Sequence, residues 1–525
     1  MRLYTAGFTD FEEIRQKGLI YVDKTDLVYK LTVESKFVFL SRPRRFGKSL
    51  LCSTLKYYFQ GRKDLFEGLS IIDLEKNWNK HPVLHFDMSG CKHKSDENVI
   101  KALNLQLEDY EALYGRNEEE STPGLRLKGV IRRAHKMTGL KTVVIIDEYD
   151  APLLDVLNKP ERLASMREIL QEFYQTLKIC DADEQFVFIT GITKFSQLSI
   201  FSTINNLDNI SMETPYSAIC GFTKAELLNY FETDIQELAN TSHISFNETF
   251  EKLKLQYDGY HFGKESEDIY NPYSIVKSFR SKEIGSYWFS SGTPTFLFEA
   301  MKRFHTNILE LGDLEVPSSQ FDVPTEAMTS ALPLLYQSGY LTIKSYDMDS
   351  DLYKLGFPNA EVKVGFMENF LSTMMEVKED PNGFAKRFYV CLKRRDIDGA
   401  MKAMQAFFAS IPYLEFGQKE LEDIAKYEAF YQMLTYVVFS TINCRTFTEV
   451  KAALGRTDMV VFLSDTIYVI ELKTRGTARD ALDCINSRDY AIPYQADGRK
   501  VVKIGIAFSK ETRTVAEWTT EAINN

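Results

Sequence analysis

Apolar runs of strand length alternate with amphipathic stretches through the first two hundred or so residues of this chain. Phe37–Leu40, Val83–Phe86, Thr142–Ile146 and Gln185–Ile189 are nearly continuous in apolar residues, the pattern of strands covered on both faces. Between them, Leu50–Phe59, Val99–Tyr110, Leu125–Lys136 and Ala164–Ile179 space apolar positions three and four apart, which predicts helices with one buried face. Buried strands alternating with such helices predict a parallel α/β sheet. Two short helices, near Asp10–Lys17 and Asp26–Val33, form a lead-in around Tyr21–Lys24.

The pattern changes after about residue 215. Lys224–Phe231 and Phe250–Leu255 read as helices, and the aromatic-rich Tyr257–Phe262 as core ahead of a lid or a stacking platform. A helix around Glu326–Ser338 leads into Tyr340–Lys344 and Leu352–Phe357, which fits a winged helix or a plain α+β packing unit. These readings predict a P-loop-type α/β domain over about 1–215 and a mainly helical middle region over about 216–410, with the winged-helix candidate at about 325–360. A C-terminal α/β domain over about 411–525 completes the chain. Repeats of 20–50 residues and low-complexity tracts are absent.

Composition narrows the function classes. Of 525 residues, 44% are hydrophobic and 13% aromatic, enough to build cores. Neither a secretory h-region nor an apolar run of about 20 residues is present, so a cytoplasmic protein without a membrane span is expected. The seven cysteines show no C-x-x-C spacing and the seven histidines no H-E-x-x-H, which predicts free thiols and no zinc site. A net charge of −11 argues against a chain that coats nucleic acid nonspecifically, while leaving room for a local basic cleft. Arg42, Arg44 and Arg45, and Lys393, Arg394 and Arg395, are the short basic clusters.

Two constellations carry candidate chemistry. The first is Ser41-Arg42-Pro43-Arg44-Arg45-Phe46-Gly47-Lys48-Ser49-Leu50, directly after a buried strand and opening a helix. Its Gly-Lys-Ser supplies the last part of the phosphate loop G-x-x-x-x-G-K-S/T, with Arg42 where the first glycine would stand. In such a loop backbone N–H groups cradle phosphate, Lys48 reaches the β and γ oxygens, and Ser49 holds Mg²⁺. Val143–Ile146 then ends in Asp147-Glu148, a Walker B pattern in which Asp147 serves the Mg²⁺ water shell and Glu148 polarises the attacking water. One strand lies between these two in sequence and another follows, which makes Thr190 the candidate γ-phosphate sensor, ahead of Thr193 and Lys194. Arg42, Arg44 and Arg45 are candidate phosphate contacts, and the sequence does not distinguish among them.

The second constellation is Asp458 followed by Glu471-Leu472-Lys473, on two apolar runs joined by Ser464-Asp465. That is a β-hairpin, and period-two alternation puts Glu471 and Lys473 on one face. Asp458 and Glu471 are the expected ligands of Mg²⁺ or Mn²⁺, Lys473 the group that orients or helps deprotonate water, and Glu428 a further acidic ligand. Taken alone, the pattern also reads as an edge hairpin with surface charges. The helix Ala478–Ser487 and strand Val501–Phe508 that follow match the αβββαβ core of a metal-nuclease class.

With both constellations identified, the chain resembles a family of bacterial proteins, abundant in Bacteroides and related anaerobes, that join an AAA-ATPase-like domain to a C-terminal PD-(D/E)XK nuclease-superfamily domain. The likeness covers nearly the whole length. It is carried by Tyr21–Thr25, Ser41–Ser49, Ile146–Asp150, Thr190–Ser196, Tyr257–Tyr260, Gly455–Asp458 and Glu471–Lys473. The resemblance implies ATP binding, a Mg²⁺ nuclease fold, and a place for Asp23, Lys24 and Thr25 at the edge of the nucleotide site. It also makes Arg-Pro-Arg-Arg-Phe-Gly-Lys-Ser the family's own form of the loop. Related domains often carry Ala-Gln-Ile in the helix after the E-x-K strand, where this chain has Asp483-Cys484-Ile485. The leading expectation is an ATP-gated DNA nuclease, with defence against mobile DNA as the setting fold-level analogy suggests. Its rivals are a nucleotide-dependent switch on a non-cleaving nuclease fold, and a homo-oligomeric ATPase whose C-terminal domain serves assembly.

Overall fold

The computed structural model describes residues 3–91, 95–157, 159–194, 206–291, 295–312, 314–324, 328–374, 381–411, 424–442, 445–452, 455–509 and 511–523. The chain divides into two compact units, Met1–Thr306 with Asp313–Asn359, and Asn307–Gly312 with Ala360–Asn525.

In the first unit the apolar runs form β1 (Phe37–Ser41), β2 (Val83–Asp87), β3 (Thr142–Asp147) and β4 (Glu184–Gly191), joined by a two-residue β5 (Asp208–Asn209). All pair in parallel, in the order β2-β3-β4-β1-β5. The phosphate-loop strand β1 and the Walker B strand β3 therefore flank β4, and both candidate motifs leave the same edge of the sheet. Every residue of β3 is buried, which explains its unbroken apolar run. Phe39, Leu84, Phe86, Val144, Ile146 and Ile189 share one core with the helices Asp96–Tyr114, Pro123–Thr138 and Pro160–Ile179. The helix Lys48–Phe59 packs against β2, β3 and β4 outside that cluster.

Helices Lys224–Ser242, Phe246–Tyr257 and Pro272–Ser281 build a second core with Val22 of the lead-in. Tyr257, Tyr260 and Phe262 are buried, in keeping with their reading as core. The helix expected over Glu326–Ser338 spans Leu332–Gln337, and residues 325–327 lie outside the described residues. It stands beside a three-stranded antiparallel sheet of β6 (Leu314–Val316), β7 (Thr342–Asp347) and β8 (Leu352–Gly356), in the order β6-β8-β7.

The second unit holds β9 (Arg445–Ala452), β10 (Gly455–Phe462), β11 (Thr466–Lys473), β12 (Lys500–Ser509) and β13 (Thr514–Ile523), ordered β13-β12-β11-β10-β9. Only β11 and β12 are parallel, and the helix Ala478–Ser487 makes the crossover between them. It lies so close to β12 that a Cβ on Gly505 would sit 2.2 Å from the Ala478 carbonyl oxygen.

The helices Ala360–Met374, Pro381–Lys393 and Ile397–Ser410 belong to this unit, although their periodicity read as continuous with the middle region. Gln405 Nε2 donates to the Val515 carbonyl at 2.7 Å, Trp518 Nε1 to Asp398 at 2.7 Å, and the Tyr468 hydroxyl to the Leu392 carbonyl at 2.8 Å. A helical repeat announces a buried face and leaves open which sheet covers it, so the break at residue 360 is invisible to pattern alone. Among the described residues no helix is long and apolar enough to cross a membrane.

Candidate nucleotide pocket and metal-nuclease site

The turn after β1 carries two left-handed residues. Gly47 has φ 92° as the residue before the helix Lys48–Phe59, and Arg45 has φ 67°, a left-handed backbone that side chains seldom adopt. A cleft of about 520 Å³ opens over this turn. Its floor is Arg44 to Leu51 with Glu148, and its walls come from Gly7–Thr9, Ile20–Val22, Ile219–Phe222 and Tyr273. The volume suits a ligand of nucleotide size, with apolar walls for a base and one basic, N–H-rich end for phosphates.

The three arginines have different surroundings. Arg42 is 1% exposed. Its guanidinium donates to the carbonyls of Ser41 (3.0 Å), Ser211 (2.7 Å) and Tyr216 (3.1 Å) and lies 4.2 Å from the centre of the Phe262 ring. Burial lowers its pKa to about 10, still charged at neutral pH. All of this turns Arg42 away from the cleft that the sequence reading gave it. Arg45 donates to the Tyr287 carbonyl at 2.7 Å and stacks 4.0 Å over Tyr273. Arg44 is among the residues lining the cleft, and its charge also lies near enough to the buried Tyr340 hydroxyl to oppose the rise that burial gives that phenol. Phe46 is buried with its ring against Tyr260 and Phe262, which anchors the loop, and it is among the residues lining the cleft.

Lys48 Nζ folds back onto the Arg42 and Pro43 carbonyls at 2.9 and 3.1 Å, a position from which rotation of the side chain reaches the cleft. Asp147 is buried at the end of β3. Burial raises its pKa, opposed by a hydrogen bond from Ser49 and by Lys48. A divalent cation held by Ser49 and Asp147 would keep that carboxylate ionised, so the donor set fits Mg²⁺. Glu148 follows with φ 49° and lines the cleft.

Thr190 lies elsewhere in the hydrogen-bond network than a free sensor would. Its hydroxyl donates to the Leu40 carbonyl at 2.7 Å, tying β4 to β1. Asp150 accepts from the Thr193 hydroxyl at 2.6 Å and from the backbone N–H groups of Thr193 and Ile192. Lys194 pairs with Asp322, and its N–H donates to Gln337 at 2.7 Å. Phe195 and Ser196 lie outside the described residues. Lys24 forms an ion pair with Glu226 at 2.5 Å on the cleft wall, and Asp23 caps Thr25 and Ser70. The sequence reading passed over Asp87, which pairs in register with Asp147 at the same sheet edge. Its signal was the aspartate closing the Val83–Phe86 run.

In the second unit, antiparallel pairing of β10 with β11 sets Asp458 opposite Glu471. The Leu472 N–H donates to Asp458 Oδ2 at 2.7 Å and the Asp458 N–H to Glu471 Oε2 at 3.4 Å. Lys473 Nζ is 3.4 Å from Glu471 Oε1. Glu471 is 5% exposed. Two carboxylates on neighbouring strands, with Lys473 beside one of them, supply oxygen donors of the kind that fit a divalent metal. Burial lowers the Lys473 pKa, but Glu471, Cys484 and Asp458 outweigh it, and the net shift is upward. Cys484 Sγ donates to Glu471 Oε1 at 3.3 Å from the crossover helix. Glu428 falls in the helix Ile424–Thr441, and its side chain lies outside the described residues.

The comparisons agree with this division of labour. Residues 5–201 match the family described as "Predicted AAA-ATPase", and residues 426–518 match the "PD-(D/E)XK nuclease superfamily". An Azotobacter chroococcum mcd 1 protein, "Uncharacterized protein in vnfD 5'region", is 32% identical over 532 residues, covering 98% of each chain. The likeness thus runs through both matched domains and the stretch between them. This chain belongs to the family that joins an AAA-ATPase-like domain to a C-terminal PD-(D/E)XK nuclease-superfamily domain.

Proposed function

We propose that the protein is an ATP-gated, metal-dependent DNA nuclease. The observation that carries this reading is the presence, in one chain, of a nucleotide-sized cleft over a phosphate loop and an Asp458–Glu471–Lys473 cluster on a nuclease-type sheet. At the first site, Lys48 and Arg44 neutralise phosphate charge and Glu148 orients the attacking water, while Mg²⁺ at Ser49 and Asp147 supplies electrostatic stabilisation. At the second site, Asp458 and Glu471 hold Mg²⁺ or Mn²⁺, and Lys473 offsets charge developing on the phosphate.

Gating is supported by how the end of β4 is tied down. Asp150 holds Ile192 and Thr193, and Lys194 is bound to Asp322 and Gln337, beside the β6-β8-β7 sheet. These bonds join the end of β4 to Asp322 and Gln337, in the stretch of the first unit that precedes residue 360. The second reading, a non-cleaving switch, draws on the Cys484 thiol bonded to Glu471 where related domains often carry glutamine. Cutting assays on circular and linear DNA, with Mg²⁺ or Mn²⁺ and with or without ATP, separate the two readings. Metal-dependent cutting that responds to ATP supports the gated nuclease, and intact ATP hydrolysis without cutting supports the switch.

A further inference from the structure

We propose that Cys52, His85 and Asp147 form a site for a borderline-soft divalent cation of the zinc class, whose occupation competes with magnesium nucleotide for Asp147. The sequence predicted no zinc site, because these residues lie far apart along the chain and share no motif. The fold brings them together. Cys52 stands one turn beyond Ser49 on the helix Lys48–Phe59, Asp147 ends β3, and His85 sits on the neighbouring β2. Alternation along β2 turns His85 away from the side taken by Leu84 and Phe86, towards that helix.

The sulfur, a ring nitrogen and a carboxylate oxygen of the three residues all lie within 4.8 Å of one another. Donors around a tetrahedral ion, with bonds of about 2.0–2.3 Å, stand about 3.3–3.8 Å apart, so modest side-chain rotation closes the set. A second observation points to a ligand. His85 Nε2 is buried and has no hydrogen-bond partner among the described residues. An unpaired buried ring nitrogen is costly, and coordination would satisfy it. The donors themselves select the ion. Thiolate with imidazole favours zinc-class ions, whereas Mg²⁺ takes oxygen ligands. Three protein ligands leave a fourth position open for water. Since Asp147 also serves the nucleotide's Mg²⁺ in the proposed ATPase, a filled site would withdraw it. That consequence rests on the ATPase reading; the metal site itself does not.

The test uses the full chain, stripped of metal, titrated with Zn²⁺ in competition with a chromophoric chelator and separately with Co²⁺. The wild type should bind one more zinc than Cys52→Ser or His85→Gln, or bind that zinc at least tenfold more tightly. The Co²⁺ form should show thiolate-to-metal charge-transfer absorption that Cys52→Ser abolishes and Cys180→Ser leaves in place. Mg²⁺–ATP should weaken zinc binding in the wild type, and zinc should raise the KM for ATP in the wild type far more than in Cys52→Ser. Unfolding curves in chelator check that each variant folds. Equal zinc number and affinity in the wild type and both folded variants would overturn the site. Variant-dependent zinc binding that ATP does not alter would uphold the metal site and overturn the competition, along with the ATPase reading if ATP is not hydrolysed.

Discussion

Arg42 offers the sharpest test of how the phosphate loop is built, because its motif position suggests a phosphate contact and its surroundings give it another task. The perturbation is Arg42→Met, close in length and without charge. The guanidinium satisfies three carbonyls, two of them across the chain at Ser211 and Tyr216, and faces the Phe262 ring. Stranding a buried acceptor costs about 1–3 kcal/mol, and a desolvated cation–π contact is worth about 2 kcal/mol. Relief from burying a charge without a carboxylate partner offsets part of this. The expected net loss is about 3–4 kcal/mol, a large fraction of a domain's stability. Arg42→Lys should recover less than half of the loss, since one ammonium cannot span the three carbonyls. Urea unfolding followed by tryptophan fluorescence reads the loss, with Trp288 as a local reporter through its bond to the Arg44 carbonyl. ATP hydrolysis is measured on the folded fraction in parallel. The account expects a lower midpoint with a KM for ATP within a few-fold of wild type. A wild-type midpoint with a KM raised tenfold or more would refute the reasoning and return Arg42 to the phosphates.

Other expectations follow from the same geometry. Arg44→Ala should leave the unfolding free energy within about 0.5 kcal/mol of wild type and raise the KM for ATP, since Arg44 is among the residues lining the cleft. Cys484→Gln should increase metal-dependent cutting several-fold by freeing Glu471 from the thiol, and an unchanged rate would clear Cys484 of any restraining role. Burial raises the Glu184 carboxyl to about 9, with both oxygens lacking hydrogen-bond partners among the described residues. The folded state then holds a proton that the unfolded chain releases near its ordinary value, so stability is greatest in acid and falls as pH rises towards 9. Each tenfold in proton affinity is worth about 1.4 kcal/mol, and with relaxation Glu184→Gln should gain about 2–3 kcal/mol at pH 9 and little at pH 4. Equal midpoints for the two proteins at pH 9 would contradict the assignment.

Much of the fold was legible because its signals are local. The four buried runs became β1 to β4, and the Ser464-Asp465 turn joined β10 to β11, since period and turn chemistry act over a few residues. The candidate phosphate loop, Asp147 and Glu148 lie at strand ends that the same local pattern marks. Features that depend on distant contacts were not. Three neighbouring arginines look alike in sequence, and only Ser211, Tyr216, Phe262, Tyr287 and Tyr273 tell them apart. Thr190 stands where a sensor is expected, yet its proton goes to Leu40 across the sheet. Helices 360–410 carried no mark of the sheet they would cover, and β13, with its mixed polar sequence, lacked the apolar run that revealed its neighbour β12. Cys52 and His85 were passed over because ligand spacing was sought along the chain, whereas the sheet and its covering helix bring them together.

The most direct test of the central claim is a cutting assay on circular and linear DNA with Mg²⁺ or Mn²⁺, with and without ATP, comparing wild type with Asp458→Asn and Lys48→Ala. The account predicts metal-dependent cutting whose rate ATP alters, lost in Asp458→Asn while ATP hydrolysis persists, and no longer responsive to ATP in Lys48→Ala. Cutting that survives Asp458→Asn, or no cutting of any substrate by a wild-type protein that hydrolyses ATP, would contradict it.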